Sequence, residues 1–397
     1  MVLSLQRNLP NHLVFVEGYY PRASGRIGGA GSYIKNLGRE LTYLGYEVSV
    51  ICAKMDKNRI KYFKDGLIHV YPIMDSKPTQ LIYFLNKIPL IKIISGLLFY
   101  LHNGLRIHMF LRRLNYQKKI YHVEYSEGGD FWNSLNKKFN YSSHLHGSNY
   151  TFKSQSNQRP DLIDWIRRKM EHVFIMRANK VISPCHAMVE LVEKEIGQQL
   201  LQAHVIPYPI DKSEIKIIDT SRGSKKVALL FASRNDPVKG GELLIKALGL
   251  LSKNIQCKIH VEFYGYAPQR DLTHLPFLIV NEFVPKEVLK KAYKKADICI
   301  IPSLFDNSPN TVYEAMAQGK IVVASAVGGI PEIIENRENG FLFNSKDVND
   351  LVEKMQDAIK MVLKGQCQTM RLNAQRRINN ISNLSNNTEQ RLNLIGL

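Results

Sequence analysis

Short apolar runs of strand length alternate with helical stretches along nearly the whole chain, and the alternation breaks off once before it restarts. The runs His12–Val16, Glu47–Cys52, Leu67–Tyr71, Ile120–Tyr125, Ser143–His146, Lys180–Ile182 and His204–Ile206 come first, with a helix over Ser32–Leu44. Apolar runs joined by helical crossovers predict a parallel sheet covered on both faces. Around Pro207–Ser224 the pattern stops at Pro207, Pro209 and Gly223, which reads as a linker. It resumes with strand Val227–Ala232, helix Gly241–Leu251, strands Lys258–Tyr264 and Leu278–Val280, helix Lys286–Tyr293, strand Asp297–Ile301, helix Asn310–Gln318 and strand Ile321–Ala324. At 397 residues the chain exceeds what one core of ~250–300 residues can organise. The prediction is an α/β protein of two Rossmann-like, doubly wound domains over 1–208 and 225–372, a linker over 209–224, and a helical tail over 373–397. The tail is a candidate to pack back on the first domain. In such folds ligands lie at the carboxyl ends of the strands, here in a central cleft that the two domains face.

The 54 Lys and Arg against 35 Asp and Glu give +19, and 28 basic against 15 acidic residues in 1–210 put +13 of it there. Such an excess predicts a partner carrying negative charge: nucleic acid, anionic lipid or a phosphorylated substrate. No helix-turn-helix, zinc ligand set or RNP motif supports nucleic acid, which is not expected as a partner; a basic nucleic-acid-binding protein stays among the alternative readings. Met1–Pro10 lacks the pattern of a signal peptide, and no apolar run is long enough to span a bilayer, so a cytoplasmic protein is expected. Cys52, Cys185, Cys257, Cys299 and Cys367 have no CxxC spacing and read as buried, reduced thiols.

The most informative segment is ADICIIPSLFDNSPNTVYEAMAQGKIVVASAVGGIPEIIENRENGFLF, ending at Phe343. A buried strand leads into a Pro-Ser turn and Asp306, and a helix opens at Asn310 after Ser308-Pro309. A helix N-terminus beyond a strand's carboxyl end is an anion site, which makes Asn310 and Thr311 candidate phosphate contacts. Glu314, one turn further in, is placed to accept both hydroxyls of a ribose.

This segment resembles the signature of glycosyltransferase family 4, retaining enzymes of the GT-B fold, in which a Glu-x7-Glu pair sits within a P-S-x-x-E…E-A-M-A-x-G frame followed by G-G-x-x-E. Pro302, Ser303, Glu314, Ala315, Met316, Ala317, Gly319, Gly328, Gly329 and Glu332 match in place. The first Glu of the pair is Asp306 here, a side chain shorter by roughly 1.5 Å. The resemblance implies that Asp306 lies near the donor sugar and that Arg234 and Lys239, in FASRNDPVKGG, clamp the donor diphosphate. Two fixed cations suit the charge that grows on a leaving diphosphate. Read without the family, Arg234 pairs with Asp236 on a solvated turn and Lys239 is a surface residue.

In the first half, Gly25–Gly31 (GRIGGAG) fails the dinucleotide spacing but lets backbone approach a ligand, and the resemblance puts Gly28 and Gly29 beside the donor phosphates or the acceptor; a plain tight turn is the alternative. It also implies that His146, after a strand, touches the donor sugar, against the alternative of a core histidine. Glu127 is a possible acceptor contact, and Phe283 and Val284 are placed to read the base.

The expected activity is therefore transfer of a sugar from a nucleotide-diphosphate sugar to a glycan, with retention and without a metal or other cofactor, since there is no Asp-x-Asp triplet. A nucleotide-sugar epimerase or a phosphorylase-like protein is the competing class. Between Asp75 and Glu124 there is no carboxylate, while Lys77, Lys87, Lys92, Arg106, Arg112, Arg113, Lys118 and Lys119 are spread among Leu, Ile and Phe. That basic amphipathic composition predicts an anionic membrane surface, on the inner face of the cell membrane, and a lipid-linked acceptor. Two core-packed helices with solvated charges are the alternative.

Overall fold

The computed structural model describes residues 12–18, 20–21, 29–52, 62–73, 92–127, 129–155, 159–210, 226–268 and 271–397. They form two compact units: one of 1–183, 189–206 and 384–397, the other of 184–188 and 207–383. The expected linker falls mostly outside the described residues, as do Gly28, Lys77 and Lys87.

In the first unit the chain runs β1 His12–Glu17, α1 Gly29–Tyr43, β2 Glu47–Cys52, β3 Phe63–Asp65, β4 Ile68–Pro72 and α2 Lys92–Gln117. It continues through β5 His122–Ser126, α3 Phe131–Asn136, β6 Tyr141–His144, α4 Asn149–Gln155, α5 Leu162–Arg177 and β7 Lys180–Ser183 to α6 His186–Ile196 and β8 Ala203–Val205. The strands make one sheet in the order β3-β4-β2-β1-β5-β6-β7-β8. All pairings are parallel except the short β3–β4 ribbon. The order reverses between β1 and β5, which makes the crevice beyond Glu17 and Ser126 this sheet's ligand-binding position. Every residue of β1 is buried, as a central parallel strand requires. Its polar His12 pairs through Nε2 with Ser49 at 2.8 Å, and His122 of β5 through Nε2 with Ser142 at 3.0 Å. Burial pushes both histidines down to about 4, so both are neutral sheet-interior groups.

The second unit runs β9 Val227–Ala232, a 3-10 turn Pro237–Lys239, α7 Gly241–Leu250, α8 Lys253–Gln256, β10 Ile259–Tyr264, β11 Leu278–Asn281, α9 Lys286–Lys295 and β12 Ile298–Ile301. Then come α10 Asn310–Ala317, β13 Ile321–Ser325, α11 Ile330–Ile333, β14 Phe341–Phe343, α12 Val348–Leu363 and α13 Gln368–Ile381. Its sheet, β11-β10-β9-β12-β13-β14, is parallel throughout. One apolar face, with Leu229, Val261, Ile300 and Val323, packs on Leu244, Leu248, Leu351 and Met355 of α7 and α12. The other, with Leu230, Cys299, Ile301 and Val322, packs on Ala292, Val312, Met316 and Ala374. The last helix, α14 Leu384–Leu394, belongs to the first unit.

Several expectations need correction. The strand placed at Ser143–His146 is Tyr141–His144, so His144 closes it and His146 lies two residues beyond. Helix α1 begins at Gly29, inside the glycine-rich segment. Four cysteines are buried, but Cys257 is exposed at the end of the short α8. No helix of the described residues is long and apolar enough to cross a membrane.

Candidate functional site

In the second unit the strand order reverses between β9 and β12, and the loops leaving those strands lie side by side. The Leu304 amide donates to the Val238 carbonyl at 2.7 Å, joining the two loops. Gly240 sits at φ 72°, and a Cβ there would stand 1.8 Å from the Pro302 carbonyl oxygen. Only glycine allows that approach. From the far side Gly328, at φ 52°, brings its backbone so close that a Cβ would lie 1.7 Å from the Asp306 carbonyl oxygen, and the Gly329 amide donates to Asn307 at 2.7 Å. The loop 302–307 that carries Asp306 is thus held between glycine contacts at Pro302 and at Asp306 itself.

This frame brings Lys239 and Asp306 together: Lys239 Nζ donates to Asp306 Oδ2 at 2.6 Å, and Ser303 Oγ donates to the same oxygen at 3.1 Å. The lysine side chain is 18% exposed, so its charge is partly desolvated while its tip still meets solvent. Arg234, on the same loop, is 65% exposed and 3.9 Å from Asp236, the solvated-turn pairing. Such an exposed pair contributes at most ~1 kcal/mol and leaves the guanidinium available to an anion.

Asn310 and Thr311 open α10, which has no side-chain cap at Pro309. Glu314 is half-buried one turn in. It lies against Tyr293 of α9, whose hydroxyl is pushed well above its ordinary range by burial and by the Glu314 charge. Val284 is half-buried and Phe283 exposed beyond the end of β11, with Gly265 packed against the Phe283 ring. Glu332 of the G-G-x-x-E match accepts from the amides of His186 and Ala187 at 2.8 and 2.7 Å, which gives that glutamate a helix-capping contact.

The remaining candidates belong to the first unit. His146 stacks on His144, with ring centroids 3.9 Å apart, and its Nε2 is 3.8 Å from Glu17 Oε2. Burial, then the neighbouring His144, keeps His146 well below its ordinary pKa, so it is neutral. Gly29 is the exposed first residue of α1. Glu127 follows β5 in the crevice position. Among the described residues no cluster of His, Cys, Asp and Glu is arranged to hold a metal ion. Sequence reasoning gave no role to Ser303 as a partner of Asp306 or to Gly240 as a spacer; both stand in the quoted segments, but their contacts are tertiary.

Two family models divide the chain between them. The model described as Glycosyltransferase Family 4 matches residues 27–214, and that described as Glycosyl transferases group 1 matches 226–361. The chain belongs to glycosyltransferase family 4. An uncharacterized glycosyltransferase of Methanocaldococcus jannaschii is 34% identical over 131 residues, 31% of this chain and 33% of that protein. The chain thus spans about a third of the length of that curated relative. Among solved structures, sucrose-phosphate synthase from Thermosynechococcus elongatus has TM-score 0.76 at 19% identity, covering 97% of this chain and 98% of its own. HepE of Anabaena in complex with UDP-glucose has TM-score 0.64 at 16% identity, covering 96% and 97%. The fold of this family 4 member is GT-B.

Proposed function

We propose that the chain is a retaining glycosyltransferase that moves a sugar from a nucleotide-diphosphate donor to a glycan acceptor without a metal ion or other cofactor. The observation that carries this reading is the Lys239–Asp306–Ser303 contact at the strand-order reversal of the second sheet. There Lys239, with Arg234 swinging in from solvent, binds the diphosphate beside the start of α10 at Asn310 and Thr311. Glu314 accepts the ribose hydroxyls, Phe283 and Val284 border the base, and Asp306 is beside the sugar. His146, Gly28 and Gly29 are the contacts of the first unit. As the sugar–phosphate bond breaks, charge grows on the diphosphate, and the prearranged Lys239, joined by Arg234, stabilises it. The departing phosphate oxygen takes the proton from the acceptor hydroxyl, and the new bond forms on the face the diphosphate leaves. HepE, solved with UDP-glucose, supports a nucleotide-sugar donor through its shared fold.

The test is incubation with UDP-, GDP- and ADP-sugars plus candidate acceptors, in EDTA, with release of nucleotide diphosphate measured and the product linkage read by NMR. Transfer in chelator with the anomeric configuration kept is the expected result. Sugar interconversion without acceptor, loss of activity in EDTA restored by manganese, or an inverted linkage would each overturn its part of the proposal.

The acceptor is proposed to be lipid-linked and the enzyme to work on the inner face of the cell membrane. Helix α2 buries Ile107, His108, Leu111 and Leu114, yet Ile94, Leu98, Leu105, Met109 and Tyr116 are exposed at spacings of 4, 7, 4 and 7. At 100° per residue these fall on one side, an apolar outer stripe where a solvated helix would carry charge. Arg112, Arg113, Lys118 and Lys119 lie exposed along it, and Leu162 and Trp165 are exposed on α5, which meets α2 where Arg167 donates to the Gly96 carbonyl at 2.6 Å. Each cation near an anionic leaflet contributes ~1 kcal/mol, and apolar side chains in the headgroup layer add to it. Co-sedimentation with liposomes should rise with anionic lipid and fall with salt and with Arg112→Glu/Arg113→Glu. Binding indifferent to all three would leave a soluble acceptor.

A further inference from the structure

Glu127, at the carboxyl end of β5 where the first sheet reverses its order, carries a side chain only 3% exposed; the Gly147 amide donates to its carboxylate, which leaves at least one oxygen without a hydrogen bond. The nearest cation is Arg168 Nη1 at 3.7 Å. That guanidinium is committed elsewhere, to Glu195 Oε2 at 2.6 Å through Nε and to Glu171 Oε2 at 3.2 Å through Nη1. Its remaining nitrogen, Nη2, is buried without a partner. An unmade bond to a buried polar group costs ~1–3 kcal/mol, more for a charged one, so such a group in a native structure calls for a ligand or an ordered water.

The chemistry of the surrounding groups narrows the ligand. An anion meets three carboxylates, Glu127, Glu171 and Glu195, and a cation meets Arg168. A hydroxyl both accepts and donates, and so can take a hydrogen from Arg168 Nη2 while giving its own to Glu127. On the transferase reading, the ligand with hydroxyls to offer is the acceptor. We propose that Glu127, backed by Arg168, is the acceptor-holding group of the first unit and that it binds the hydroxyls of a neutral sugar or polyol.

Burial pushes the Glu127 carboxyl up to about 7, with Arg168 lowering it and Glu171 of α5 and Glu195 of α6 raising it. The carboxylate, which accepts with both oxygens, therefore gains on the acid between pH 6 and pH 8. Ligand affinity should rise over that interval, and an amide in its place should remove the rise.

The experiment uses the full chain without donor and follows saturation-transfer NMR of methyl α-glucopyranoside, methyl α-mannopyranoside and myo-inositol, with glucose 6-phosphate as the anionic comparison. At least one neutral probe should bind, better at pH 8 than at pH 6, and glucose 6-phosphate should bind about tenfold more weakly. Glu127→Ala should weaken the neutral probe about tenfold or more, and Glu127→Gln, which keeps shape and fold, should weaken it less and flatten the pH profile. Binding of UDP, GDP and ADP, a property of the second unit, should be unchanged in both variants. If Glu127→Ala does not fold, Glu127→Gln alone decides. The proposal is overturned if no neutral probe binds the wild type, or if binding and its pH profile are the same in Glu127→Gln, which would mark the cluster as a water-filled structural network. Failure of the wild type to bind any nucleotide diphosphate would instead overturn the transferase reading.

Discussion

Lys239→Ala should lower kcat/KM for sugar transfer by about 10²–10³-fold, the range found when one prearranged electrostatic contact to a developing charge is removed. Two effects act in the same direction. On the proposed reading, the variant loses the cation that meets the diphosphate as charge grows on it. It also strips Asp306, 9% exposed in its side chain, of its closest partner, and leaves an uncompensated, largely buried carboxylate. Arg234→Ala should cost less, about tenfold or ~1.4 kcal/mol, because Arg234 is largely solvated and holds Asp236 at only 3.9 Å. Lys239→Ala/Asp306→Asn should recover stability but not turnover, since the amide cures the unpaired charge without restoring the cation. Steady-state kinetics at saturating acceptor, with thermal melts alongside, separates these outcomes. A Lys239→Ala enzyme within threefold of wild type, or an Arg234→Ala enzyme impaired more than it, would remove Lys239 from the centre of the donor site.

Arg391→Ala should destabilise the first unit by about 3–5 kcal/mol, the cost of breaking a buried ion pair from one side. Glu124 of β5 accepts from Tyr33 Oη at 2.9 Å, from His144 Nδ1 at 3.0 Å and from Arg391 Nη1 at 3.2 Å. Arg391, on α14, is itself buried and lies over the Tyr33 ring at 4.9 Å. Burial pushes the Glu124 carboxyl up, but Arg391, followed by the His144 and Tyr33 bonds, overrides it and holds the group well below the usual carboxylate range. A lowered folded pKa means stability present above the unfolded value near 4.5 and lost as pH falls below it. Removing the guanidinium leaves burial to dominate, so the folded Glu124 pKa should rise above its unfolded value, the acid-side loss should disappear, and the destabilisation should be larger at pH 8 than at pH 5. Urea titration of wild type, Arg391→Ala and Arg391→Ala/Glu124→Gln at pH 5 and pH 8 measures this. The double variant should recover a large part of the loss at pH 8. A single variant within 1 kcal/mol of wild type would show that α14 is held by its apolar contacts.

How much could be read in advance follows from how local each signal is. The two sheets were legible because parallel strands buried on both faces must be continuous apolar runs, as Ile298–Ile301 and Ile321–Ser325 are. Edge strands such as Phe63–Asp65 and Phe341–Phe343 were not, being three residues long with too little pattern to separate from loop. His146 was placed on a strand because Ser143–His146 alternates, but the strand ends at His144, where the chain turns toward Gly147 at φ 98°. Asp306 and Glu314 stand eight positions apart in one segment whose motif can be read locally, whereas Lys239 could be singled out only through the family resemblance and meets Asp306 across 67 residues. The partners of Glu124 could not. Tyr33, His144 and Arg391 are separated from it by 91, 20 and 267 residues, and nothing short-range in an Asn-rich tail marks one arginine for burial.

That last separation has a consequence for how the molecule comes into being on a ribosome. At ~5–20 residues per second, the codon for Arg391 is read tens of seconds after that for Glu124, and after every strand of both sheets has been made. The nascent first sheet therefore waits with a charged hole at β5, closed only by Tyr33 and His144, while the whole of the second sheet emerges and is free to fold. The first unit is thus completed only after the strands of the second have all been made.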